Sequence, residues 1–162
     1  MKNTLTTPMN NEISDFRSFA ETQPRSPIAD SEKTSTCISL HKFVSSLIDD
    51  LLSRTSGNLI TIINDVPSEM LVSTDKNTLT TITANLLDIF VMNSQSDSIH
   101  ISAKLIGNLT LLHMRSSDAT YTESMANSMQ KIEPMAETLG GCITLSNSIR
   151  KGLSLAFTFI ND

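Results

Sequence analysis

Thr74-Asp75-Lys76-Asn77-Thr78-Leu79-Thr80-Thr81-Ile82-Thr83-Ala84-Asn85-Leu86-Leu87-Asp88-Ile89-Phe90-Val91-Met92-Asn93 is the stretch whose reading decides the fold. Leu79, Ile82, Leu86, Ile89 and Phe90 recur at steps of three and four, the spacing of one helix face, and Thr83 and Leu87 widen it. Thr74 is placed to cap this helix. Asp75 then stands in the first turn, where a negative charge meets the helix dipole favourably. At 3.6 residues per turn the helix runs about five turns. Asn85 falls on the flank of the apolar face, beside Ile89. A polar amide there is either a satisfied structural group or the edge of a site.

Upstream, Leu40, Phe43, Val44, Leu47, Ile48, Leu51 and Leu52 repeat in the same manner, with Ser39 as N-cap and Gly57 as stop. Leu59 to Asn64 is an Ile-rich apolar run that fits a buried strand, ended by Pro67. Leu71 and Val72 add a short strand before the central helix. Downstream the period drops to two. Ile99, Ile101, Ala103 and Leu105 alternate with His100, Ser102 and Lys104, a strand with one buried face. Gly107-Asn108 suits a tight hairpin into the partner strand Leu109 to Met114. Arg115 to Thr122 reads as a polar loop. Met125, Met129, Ile132, Met135, Ala136 and Leu139 form a third helix face, with a kink or late start expected at Pro134 and termination at Gly140-Gly141. Cys142 to Leu145 and Leu153 to Ile160 are two further strands. Helices between hairpins imply an α+β fold, a two-layer α/β sandwich with helices on one face of a mixed sheet.

Residues 1–36 differ in texture. They are rich in Ser, Thr, Asn and Pro, and read as a flexible tail or linker. Ile13, Phe16 and Phe19 allow one short docking helix over 11–21, and Pro24 and Pro27 break any continuation. The domain proper is expected over 37–162. The net charge of −5 argues against a broad nucleic-acid surface, which needs concentrated Lys and Arg. No apolar run is long enough to span a membrane, and no leader-like start is present, so a cytoplasmic location without a membrane partner is expected. Cys37 and Cys142 form no disulfide framework. His41 reads as a surface-helix histidine, and His100 and His113 have no Cys, Asp or His at ligand spacing, so no metal is expected.

Five stretches, in order, resemble the ATPase domain of histidine kinases, of the family shared with gyrase, Hsp90 and MutL. They are Ser39-Leu40-His41-Lys42-Phe43; Asn64-Asp65-Val66-Pro67 with Ser73 to Asn77; Asn85-Leu86-Leu87; Leu139-Gly140-Gly141-Cys142-Ile143; and Lys151-Gly152-Leu153-Ser154-Leu155-Ala156-Phe157. The resemblance covers about residues 38–160. It implies the histidine kinase ATPase-like fold and a nucleotide pocket on the central helix.

Residue by residue, the pocket departs from the family pattern. The N box normally reads N-L-L-x-N-A-x-K, and its second Asn orients magnesium. Here Asn85 matches the first Asn, Ile89 stands in place of the second and Met92 in place of the Lys. Magnesium requires oxygen ligands, which isoleucine lacks. The next box is normally D-x-G-x-G. Aligned on the preceding strand, Arg115 replaces the Asp, and Ser117 and Ala119 replace the glycines. Asp118 is the one acid near enough to serve as a shifted replacement. No Gly-rich cradle exists, and the segment that would hold the lid is nearly absent.

The resemblance thus implies a scaffold whose nucleotide site is erased: a pseudokinase-like interaction or regulatory module of two-component-type signalling, without cofactor or kinase activity. A response regulator or a kinase helical domain is the partner class implied. Self-association into a homodimer through residues 11–21 is a further expectation. The competing reading is a residual ATP-binding domain of a histidine kinase or an anti-sigma-type protein kinase, with ATP and magnesium bound. A structural fragment is the third.

Overall fold

The computed structural model describes residues 35–55, 60–94, 98–148 and 152–162. The tail and the docking helix over 11–21 lie outside the described residues, except that Ser35 and Thr36 open a strand. Ten elements follow in chain order: β1 (Ser35–Ser39), α1 (Leu40–Arg54), β2 (Thr61–Asn64), β3 (Leu71–Asp75), α2 (Lys76–Met92), β4 (Ser98–Ile106), β5 (Leu109–Ser116), α3 (Glu123–Thr138), β6 (Cys142–Ser148) and β7 (Gly152–Ile160). Five strands make one mixed sheet in the order β2-β4-β5-β7-β6, and β1 pairs with β3 in a separate ribbon. β2 runs parallel to β4, and every other pairing is antiparallel.

Alternation puts Ile99, Ile101, Leu112, Met114, Leu153, Leu155, Phe157 and Phe159 on one face of the sheet, all fully buried. The apolar faces of α1, α2 and α3 close over them, so the core is one layer of helices on one layer of sheet. Leu79, Ile82, Leu86, Leu87 and Phe90 of α2 lie at its centre. The expected sandwich and the expected central helix are therefore present.

Three local expectations are corrected, and the expected N-cap of α1 is in place. β1 is an added strand, because Ile38 alone is apolar enough to reach the core and leaves no periodic signal. Asp75, not Thr74, caps α2. β3 continues through Asp75, and its alternation buries Thr74 to 2% exposure. The Asp75 carboxylate accepts from the Asn77 N–H at 2.9 Å and from the Thr78 hydroxyl at 2.9 Å. Ser39 occupies the N-cap position of α1 without a side-chain cap bond; the Leu40 N–H donates instead to the Met70 carbonyl at 2.9 Å. α3 starts at Glu123 and runs through Pro134. The proline removes only the bond to the Gln130 carbonyl, on a residue that faces solvent.

Just past α3 and its C-cap Leu139, Gly140 has φ +65°, the left-handed conformation in which glycine terminates helices. At Gly141 a Cβ would collide with the Thr158 carbonyl oxygen, so β6 enters the sheet only because this residue has no side chain. The chain's last residues tie the ribbon to the sheet. Asn161 Oδ1 accepts from the Ser73 N–H at 2.6 Å, the Asp162 N–H donates to the Ser73 carbonyl at 2.9 Å, and Ser35 Oγ donates to Asp162 Oδ2 at 2.8 Å.

Candidate functional site

Two junctions flank the central helix layer. At the first, α1 meets β2. Asn64 Nδ2 donates to the His41 carbonyl at 3.0 Å and to Ser45 Oγ at 2.8 Å, while its Oδ1 accepts from the Val66 N–H at 3.2 Å. His41 Nδ1 lies 2.7 Å from the Val66 carbonyl, an arrangement that places the proton on that nitrogen. His41 is thus a half-buried structural histidine, held by the turn after β2.

At the second junction the end of α2 meets the segment between β5 and α3. Asn93 is the C-cap of α2. Its carbonyl accepts from the Thr120 N–H at 3.2 Å, its Oδ1 from the Thr122 hydroxyl at 2.9 Å, and its Nδ2 donates to the Ile89 carbonyl at 2.6 Å. The Thr122 hydroxyl also accepts from the Met125 N–H at 3.1 Å, as the N-cap of α3. One hydroxyl therefore joins the end of one helix to the start of the next. Ala119, in the same segment, is 6% exposed and belongs to the core.

The six positions marked by the family pattern separate on this frame. Asn85 is exposed, and its amide donates to the Thr81 carbonyl of its own helix at 2.8 Å. Ile89 is half-buried against the core. Met92 is 83% exposed, in the last turn of α2 beyond the packed face. Arg115 stands on the sheet face away from the helices, across from His100 on β4 and Ser154 on β7. The helix-facing residue at this end of β5 is Ser116, 1% exposed, whose Oγ lies 3.4 Å from the Asp118 N–H. β5 also runs two residues past Met114, so Arg115 and Ser116 are strand rather than loop. Ser117 is exposed, and Ala119 is buried. No cleft described below includes any of the six.

The face of the sheet away from the helices carries two cations, Lys104 and Arg115, and two histidines. Lys104, Arg115, His100 and His113 share it, and Asp65 Oδ2 lies 2.8 Å from His100 Nδ1. Burial first, then the charges of Arg115 and Lys104, lower the pKa of His113 below its usual value. Among the described residues, no three His, Cys, Asp or Glu side chains converge as a metal centre requires. Cys37 and Cys142 are exposed free thiols. No helix among the described residues is long and apolar enough to cross a membrane.

Two features have no counterpart in the sequence reading. Asn93 as a clamp was readable only as a helix-stop asparagine after Met92. The other is a cleft of about 570 Å³ between α3 and β6, lined by Tyr121, Met129, Glu133, Ile143, Leu145 and Asn147 among others. Smaller clefts of about 380 and 370 Å³ lie between α1 and α2 and beside β1.

No protein-family model matches the sequence, and neither does any curated protein. Solved structures do match. The histidine kinase AdeS of Acinetobacter baumannii superimposes with a TM-score of 0.68 at 14% identity, over 79% of this chain and 68% of that one. The nucleotide-free catalytic domain of the histidine kinase ThkA gives 0.65 at 13% identity, over 78% and 95%. The cytoplasmic segment of the histidine kinase QseC gives 0.58 at 13%, over 83% of each chain. The fold is that of the histidine kinase ATPase domain. At these identities the likeness establishes architecture alone.

Proposed function

We propose that this chain is a nucleotide-independent relative of the histidine kinase ATPase domain, which acts by binding a protein in two-component-type signalling. One observation carries the reading. The segment between β5 and α3, where the family pattern places glycines and a phosphate-covering lid, is here a short connector. It is pinned by Asn93 to α2 and packed into the core through Ala119. A nucleotide at that junction would have to break the clamp and displace a buried methyl group.

The chemistry of the donor set supports the same reading. Ile89 offers magnesium no oxygen. Asn85 already spends its amide on the Thr81 carbonyl, and Arg115 lies on the wrong face of the sheet to meet an adenine amine. The residues do not fit a magnesium nucleotide, and no phosphoryl-transfer step is derived through one. A scaffold kept without its ligand set retains its surfaces, and the partners implied are a response regulator or a kinase's helical hairpin.

Calorimetric titration with ATP and a non-hydrolysable analogue, with and without magnesium, tests this. No heat and no thermal shift at millimolar nucleotide are expected. Micromolar binding overturns the reading, and makes this a residual nucleotide-binding domain.

A further inference from the structure

We draw no further inference here: the strongest candidate, the face of the sheet away from the helices that Lys104, Arg115, His100 and His113 share, carries nothing, because nothing among the described residues shows what covers it.

Discussion

Asn64 and Asn85 both stand in stretches that resemble the kinase domain, yet the two junctions they mark are built differently. At the α1–β2 junction Asn64 has three partners drawn from two segments, the His41 carbonyl and Ser45 hydroxyl of α1 and the Val66 N–H of the turn after β2. On α2, Asn85 is exposed and bonds one turn back along its own helix. The neighbouring α2–α3 junction is held by Asn93, a residue outside the family pattern, and by packing of Ala119. The contrast teaches that a shared motif letter carries no role by itself. The role follows from what the backbone brings within hydrogen-bond reach. The α1–β2 junction is held by the Asn64 hydrogen bonds, and the α2–α3 junction by the Asn93 clamp and a buried methyl group.

The comparison can be broken most sharply at Ala119. Ala119→Asp puts a carboxylate into a site 6% exposed with no cation described beside it, and is expected to cost about 3 kcal/mol in urea unfolding. Full tolerance would mean that the segment opens as a lid does. Asn64→Ala comes next, at about 2 kcal/mol, since it removes three bonds and takes the side-chain acceptor from the Val66 N–H, while the His41 carbonyl keeps the Ser45 hydroxyl. An equal loss on Asn85→Ala would erase the distinction drawn here. Asn93→Ala should cost about 1 kcal/mol, because its backbone carbonyl still accepts from Thr120 and only two side-chain bonds go. Smallest of all, Asn85→Ala should lie within about 0.5 kcal/mol of the parent, as ordinary surface substitutions do. It should also leave any nucleotide titration unchanged.

Periodicity made most of this fold legible. The faces of α1, α2 and α3, the alternation of β4, β5 and β7, the Gly107-Asn108 hairpin and the Gly140-Gly141 stop are local patterns, and local patterns survive in one sequence. β1 escaped because a two-stranded ribbon with one buried residue has no period to read. Thr74 and Asp75 both have capping chemistry, and only the length of β3 decides that Asp75 is the cap. The candidate site was legible as a set of replaced letters, Ile89, Met92, Arg115, Ser117 and Ala119. Their scattering was not, because a shift of one residue along β5 turns a side chain to the opposite face of the sheet.

The sequence by itself determined the element order from α1 onward, the helix-on-sheet layering and the absence of a magnesium-binding asparagine at Ile89, because burial periodicity and side-chain chemistry are properties of the chain. Tertiary structure alone decided that Asn93 and Thr122 tie α2 to α3, that Asn161 and Asp162 fasten the β1–β3 ribbon, and that β6 lies at the edge of the sheet as described, beside a cleft. These depend on groups distant in sequence arriving within about 3 Å of one another, or failing to, and strand order sets that distance.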